Sequence, residues 1–184
     1  MLPAAMRRTL IIALCVLTAI AVSGAVTACG SSDDATDVAE GEPADIAGLH
    51  YNVQITRFLN PDDREDSEYL VGQPPPRPGE YYLGVFMVIN NDTDTARPSA
   101  AGYTVVDTLH TKYEPLPSES PYALDIGADV PPNGQLPLLD TTAQTGPNEA
   151  SMLIFRVSAD VSENRPLLLE INSTDGTGEV LLDI

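Results

Sequence analysis

The chain has 184 residues, with 27 Asp and Glu against 9 Lys and Arg, which gives a formal net charge of −18 at pH 7. A surface this acidic repels phosphates and anionic headgroups, so the composition argues against nucleic-acid binding. The 2 cysteines, Cys15 and Cys29, both precede the predicted folded domain, so no intrachain disulfide is expected in that domain.

Residues 1–28 have the pattern of a secretory signal peptide. Arg7 and Arg8 precede an apolar run over residues 9–22, and small residues follow it. The four residues that end at Cys29, VTAC, resemble the lipobox of bacterial lipoproteins, with valine in place of the usual leucine. This resemblance implies cleavage between Ala28 and Cys29 and a diacylglycerol thioether on Cys29, for which a thiolate is a suitable nucleophile.

The predicted location follows from this N-terminal pattern. Acyl chains on Cys29 would hold the protein at the cell membrane, on its extracytoplasmic face, because two chains suffice for stable anchoring. The alternative is an uncleaved membrane helix, since the 19 residues from Leu10 to Ala28 carry no charge and are long enough to span a bilayer. Both alternatives predict the same orientation, because positive charges precede the apolar run.

Residues 29–48 are rich in Asp, Glu, Ala, Gly and Ser. A segment of this composition buries too little apolar surface to offset the entropy lost on ordering. We therefore predict a disordered acidic tether that begins at the lipidated Cys29, and a folded domain that begins at Leu49.

The first predicted strand covers residues 49–56. Its apolar residues alternate with polar ones, which predicts that one face is buried by Leu49, Tyr51, Val53 and Ile55. A long acidic and proline-rich loop follows over residues 59–79, where proline density prevents strand pairing.

The sequence in the middle of the chain predicts a buried strand, a hairpin and a tight turn. Residues 81–90 are apolar at both odd and even positions, which favours a central strand that is covered on both faces. Residues 103–107 and 112–114 are expected to form the two arms of a hairpin. The sequence PPNG at 131–134 predicts a turn.

Three strands are predicted near the end of the chain. Residues 151–157 place Leu153, Phe155 and Val157 on one face, and residues 167–172 place Leu167, Leu169 and Ile171 inward with Glu170 outward. A turn at Asp175-Gly176 then leads into the last strand.

These elements predict an all-β fold, an immunoglobulin-like antiparallel β-sandwich over residues 49–184, after the signal helix and the linker. The order of YYLGVFMVINNDTDTA, YTVVDTLHTKYEPL, VPPNGQLP and SMLIFRVSADVSENRPLLLEI resembles the telokin-like, immunoglobulin-like domains of bacterial lipoproteins and secreted proteins. The resemblance implies a fold and a location, and it carries over no activity and no site residues.

The sequence offers few candidates for catalytic or metal-binding residues. The sequence has no G-x-S-x-G, and His50 and His110 are both predicted on the surface, so we expect neither an enzyme nor a bound cofactor. Five acids of one loop could offer oxygen ligands to calcium, but their spacing lacks the glycine and distal glutamate of an EF-hand, so a solvated loop is expected. These acids are Asp62, Asp63, Glu65, Asp66 and Glu68.

The loop over residues 59–79 is the predicted interaction site, because a connection of this length is usually functional or disordered. Its predicted contact residues are apolar or lie within the stiff proline-rich run at 74–78: Tyr69, Leu70, Val71, Pro75 and Arg77. The sequence thus favours a lipoprotein whose sandwich binds another envelope protein without catalysis. A domain that binds a small molecule or a cation, a structural spacer, and a loop without any partner remain the alternatives.

Overall fold

Twelve strands dominate residues 35–184, the part of the chain that this computed structural model describes. In chain order they are β1 (Ala35–Ala39), β2 (Pro43–Ile46), β3 (Leu49–Leu59), β4 (Glu80–Asn91), β5 (Arg97–Pro98), β6 (Gly102–Val106), β7 (Lys112–Tyr113), β8 (Asp129–Val130), β9 (Gly134–Leu136), β10 (Ser151–Ser158), β11 (Leu167–Ser173) and β12 (Gly176–Leu182). The helical elements are α1 (Arg64–Tyr69), α2 (Thr142–Thr145) and a 3-10 turn at Ala159–Ser162.

The strands form two main sheets. The first has the order β1-β12-β11-β6-β7, in which only the β1–β12 pair is parallel. The second has the order β10-β4-β3-β2 and is antiparallel, with β9 also paired to β4. Strands β5 and β8 form a small separate ribbon. Apolar side chains from both main sheets meet in one core, so the predicted all-β sandwich is confirmed.

The sandwich begins earlier than predicted. Strand β2 buries Ala44 and Ile46 in the core, and a two-residue turn at Ala47 and Gly48 joins it to β3. Both turn residues have positive φ, 52° and 75°, as a type I′ hairpin requires. The predicted disordered tether is therefore wrong for residues 35–48, where strand pairing and two buried side chains stabilise the chain. Residues 29–34 lie outside the described part.

The predicted central strand is confirmed as β4. Its side chains at Leu83, Val85 and Met87 face the core between the sheets, while Tyr82 and Phe86 face the other side of the second sheet. The predicted faces of the last strands are confirmed as well: the inward residues of β10 and β11 are at most 3% exposed. The hairpin of β6 and β7 and the turn at PPNG also form as expected.

A second apolar cluster lies on the outward face of the second sheet. We call it the outer cluster, and its buried members are Leu59, Tyr69, Leu70, Tyr82, Phe86, Tyr122, Ala143, Ala150, Met152 and Ile154. The segments that contain α1 and α2 contribute to it. The long connections are therefore packed against the sheet, which explains why β4 is apolar at both odd and even positions.

The inward face predicted for the first strand is wrong at its end. Between Val53 and Ile55 the pairing of β3 with β4 shifts, so Gln54 is an extra residue in the strand. Such a bulge reverses the alternation after it. As a result Ile55 is 36% exposed, whereas Thr56 is 4% exposed.

Asn91, at the end of β4, joins three segments. Its buried Nδ2 donates to the carbonyl oxygens of Thr95, Val130 and Pro131 at 2.8, 3.0 and 3.0 Å. Its Oδ1 accepts from the Thr93 amide at 3.0 Å and from the Thr93 hydroxyl at 2.7 Å. The side chain thus holds the turn after β4 against β8.

Replacing this amide should be costly. We expect Asn91→Ala to lower the free energy of unfolding by about 3 kcal/mol, because it leaves buried polar groups without partners. Asn90→Ala, at the half-buried neighbouring position, should cost less than about 1 kcal/mol. Urea unfolding at an unchanged slope measures both values. Similar losses for the two variants would contradict the role given to Asn91.

Candidate functional site: an aromatic groove at the end of the second sheet

Two aromatic side chains on the core-facing side of the second sheet are left uncovered. Phe58 in β3 lies opposite Leu83 in β4, and Tyr81 has the same parity as Leu83 and Val85. Leu83 and Val85 are fully buried, whereas Phe58 is 37% exposed and Tyr81 is 51% exposed. The inward-facing rows of β3 and β4 therefore continue beyond the core and present aromatic rings to solvent.

These two rings contact each other and line a groove. Their centroids lie 5.7 Å apart, with the ring planes tilted by 60°. The groove has a volume of about 460 Å³. We call it the aromatic groove; its lining residues are Phe58, Leu59, Asn60, Pro61, Asp62, Pro75, Pro76, Glu80, Tyr81 and Tyr82.

The proline side of the groove is held in place by β4 and by a neighbouring loop. The hydroxyl of Tyr82 donates to the carbonyl oxygen of Pro74. Gln73 Nε2 donates to the carbonyl oxygen of Pro117 at 2.6 Å. Pro75 and Pro76 directly follow these contacts, so hydrogen bonds hold the chain immediately before the two proline rings of the groove.

The acidic end of the long loop is held by helix α1 and one arginine. Asp63 caps the helix, accepting from the amides of Glu65 and Asp66 at 2.9 and 3.3 Å. The nearly buried carboxylate of Asp66 accepts from the Asn60 amide at 2.8 Å and lies 2.6 Å from Arg57 Nη1. Glu65 lies 3.3 Å from Arg57 Nη2.

Four of the five acids weighed as calcium ligands therefore have structural partners. Glu68 Oε2 also accepts from the Tyr122 hydroxyl, at 3.4 Å. Asp62 lies on the rim of the aromatic groove. In residues 35–184, as far as the structure describes them, no three His, Cys, Asp or Glu side chains converge on a common point.

The predicted interaction residues occupy different environments. Tyr69 and Leu70 are 1% and 7% exposed because α1 directs them into the outer cluster, so these two predicted contact residues are not accessible to a partner. Val71 is 42% exposed. Pro75 lines the aromatic groove, and the backbone N–H of Arg77 donates to Glu80 Oε2 at 3.3 Å beside it.

Tyr69 has a structural role. Its ring packs edge-on against Phe86 and Tyr122, with centroids 5.0 and 4.8 Å apart. Burial, and then the Glu65 carboxylate, raise the pKa of Tyr69 to about 12, so its hydroxyl stays protonated at neutral pH. That hydroxyl accepts from Asn148 Nδ2 at 3.1 Å, which joins the long loop to the segment after α2.

The two histidines lie on the surface, as predicted. His50 is paired with Asp45 through Nδ1, and its Nε2 lies 3.3 Å from Asp92 Oδ2. His110 lies in the exposed turn before β7. Neither histidine lines the aromatic groove.

Two further concavities differ from the aromatic groove in their lining. One of about 380 Å³ is mostly polar and lies beside α2, where Gln54, Gln135 and Asn148 contribute to it. Another of about 590 Å³ lies near the end of the chain, between Glu40 and Arg165. Neither presents an exposed aromatic ring.

The sequence missed Phe58 and Tyr81 for a local reason. The bulge at Gln54 moves Phe58 from the outward-facing to the inward-facing side of the sheet, and no sequence pattern signalled that bulge. Tyr81 was predicted within the buried central strand. Its position at the start of that run, next to Gly79 and Glu80, was the available signal that it could lie at the rim.

The predicted lipidation site, Cys29, and the cleavage site after Ala28 lie outside the described residues. Within residues 35–184, no helix is both long and apolar enough to cross a bilayer.

Comparisons with known proteins support the fold of the chain and do not identify its family. No family model and no curated protein matches the chain. The solved yjhA protein of Bacillus subtilis is similar at 11% identity, with a TM-score of 0.50 over 79% of this chain and 99% of that chain. An uncharacterized β-sandwich protein of Clostridium difficile has 13% identity and a TM-score of 0.48, over 82% and 95% of the two chains.

A third solved structure is the "putative lipoprotein (ycdA)" of Bacillus subtilis. It has 12% identity and a TM-score of 0.48, and the match covers 78% of this chain and 38% of that chain. At these identities the likeness to yjhA supports the β-sandwich fold alone.

Proposed function

We propose that this chain is a cell-envelope lipoprotein whose sandwich binds another envelope protein through the aromatic groove, without catalysis. The observation that carries the proposal is the pair of exposed aromatic rings, Phe58 and Tyr81, which contact each other and line one groove. Aromatic side chains of this kind dominate binding energy at protein interfaces, because they bury a large area with few rotatable bonds.

The way in which the groove is held by the surrounding structure supports a binding role. Its rings come from two long strands, and the chain immediately before Pro75 is held by a hydrogen bond from Tyr82 to the Pro74 carbonyl and by one from Gln73 to the Pro117 carbonyl. A surface that is rigid before binding loses little conformational entropy when a partner docks. The lipobox supports the envelope location, where the groove would face proteins outside the cytoplasm.

The interaction can be tested at Tyr81 in the anchored protein. We expect a photo-crosslinking amino acid at position 81 to form a discrete adduct with one envelope protein in intact cells of the source organism. The matched control is the same amino acid at the exposed Thr177, on the other sheet, which should give no adduct. An absent adduct at position 81, or the same adduct at both positions, would contradict the proposal.

The second candidate function is the binding of a small molecule in the same groove. A lined concavity of about 460 Å³ beside the long loop favours it, because this volume is within the range of small-ligand sites. It predicts that a metabolite raises the melting temperature in a manner that depends on Phe58, while the crosslinker at position 81 gives no protein adduct.

The cation alternative makes a separate prediction. Four of the five loop acids already cap the helix or contact Arg57 or Tyr122. We expect excess Ca²⁺ to leave the melting temperature unchanged at matched ionic strength, and EDTA to have no effect. A rise that EDTA reverses, and that is absent in Asp62→Asn, would show that the loop binds calcium.

A further inference from the structure

We infer that the aromatic groove recognises an extended segment in which prolines alternate with lysine or arginine. This inference rests on the proposed function, because it names the chemistry of the partner that the groove would bind. It follows from three properties of the site: the shape of the groove, its aromatic and proline lining, and its charge.

The shape suits an extended chain. A smaller concavity of about 170 Å³ adjoins the aromatic groove, and both are lined by Pro61, Pro75 and Tyr82. The two concavities therefore adjoin each other. An extended peptide can place successive side chains in such neighbouring pockets, whereas a globular ligand would fill only one.

The lining suits proline. The rings of Phe58 and Tyr81, with centroids 5.7 Å apart, form an apolar surface next to Pro61, Pro75 and Pro76. Aromatic-lined grooves are a recurrent means of binding polyproline II segments, which are already extended and lose little entropy on docking.

The charge suits a cation. The charged side chains that line the two concavities are Asp62 and Glu80, and both are acids. Two arginines lie close by without lining either concavity: Arg77 directly follows Pro76, and Arg156 has its Nε 3.8 Å from Glu80 and donates through Nη2 to the Tyr82 hydroxyl at 3.2 Å. The chain as a whole carries 27 acids against 9 basic residues. A second copy of this acidic chain, or an anionic ligand, would be repelled, whereas lysine or arginine beside the prolines would be attracted.

The test uses the full chain in detergent micelles and three synthetic peptides of twelve residues. The first alternates prolines with arginines, the second replaces each arginine with glutamate, and the third replaces each proline with glycine. We expect only the first to bind, and we expect 0.5 M salt to weaken its binding at least about 10-fold because screening removes the attraction.

Variants of the protein test whether the peptide binds in the aromatic groove. Phe58→Ser combined with Tyr81→Ser should weaken binding at least about 10-fold, as for residues that dominate an interface. Both side chains are more than a third exposed, so the fold should persist, and near-ultraviolet circular dichroism checks it. Leu139→Ser, at a leucine that is 70% exposed outside the groove, is the control and should bind the first peptide as tightly as the wild-type protein does.

Equal binding of the glutamate or glycine peptide, or binding that the double variant leaves unchanged, would overturn the inference. The crosslinked adduct at position 81 separates this failure from that of the proposed function. An adduct peptide without proline and basic residues would overturn the inference and leave the proposed function standing, whereas the absence of any adduct would overturn both.

Discussion

Phe155→Asp is expected to leave the chain unfolded at 25 °C. Phe155 is fully buried in β10, opposite Leu83, and its ring packs in the core between the two sheets. Loss of a buried ring costs about 3–5 kcal/mol. An unpaired carboxylate in the same place adds several kcal/mol more, and the total is comparable to the 5–15 kcal/mol that stabilises a typical domain.

Phe58→Asp is the matched control for this substitution. It makes the same chemical change at a ring that is 37% exposed, so the variant should fold, and its unfolding free energy should fall by about 1 kcal/mol. Circular dichroism in the near and far ultraviolet measures both variants. A folded Phe155→Asp protein, or equal damage from both changes, would mean that the inward face of β10 has been assigned to the wrong side.

Strands with regular alternation could be predicted from the sequence. Leu167, Leu169 and Ile171 bury the same face in the structure as in the pattern, because no bulge interrupts β11 and both of its neighbours pair in register. The run of β4 that is apolar at both odd and even positions also predicted correctly a strand covered on both faces. Burial on two faces leaves no polar positions in the sequence.

Elements stabilised by distant contacts could not be predicted in this way. Strand β2 has only two buried side chains, Ala44 and Ile46, and the turn after it is Ala-Gly, a weaker hairpin signal than Asn-Gly. Strand β1 pairs with β12 at the far end of the sequence. Composition alone therefore assigned these residues to a tether, although strand pairing orders them.

The sequence predicted the loop that lines one side of the candidate site, including Pro75, but it missed the aromatic residues Phe58 and Tyr81. The long loop does line the groove, through Pro61, Pro75 and Pro76. Helix α1 has only six residues, too few to show a helical period, so nothing signalled that it would bury Tyr69. Replacement of residues 60–78 by a short turn would expose the outer cluster, so point substitutions at Phe58 and Tyr81 are the suitable probes.

Cys29→Ala is expected to abolish lipid attachment completely. The thiol of this residue is the only group that the lipobox pattern offers for a thioether, and an alanine side chain cannot form one. Without the two proposed acyl chains, the protein would lose its stable membrane binding, since each buried CH₂ contributes about 0.8 kcal/mol. Cys15→Ala is the control, because Cys15 lies in the apolar run that cleavage would remove.

The most direct measurement of the lipid anchor is incorporation of a clickable fatty acid into the protein in cells, followed by mass determination of the mature chain. The original protein and Cys15→Ala should be labelled and should lack residues 1–28, and Cys29→Ala should carry no label. Labelling that persists in Cys29→Ala, or an unlabelled original protein that retains residues 1–28, would contradict a lipoprotein and would favour a membrane helix that remains uncleaved.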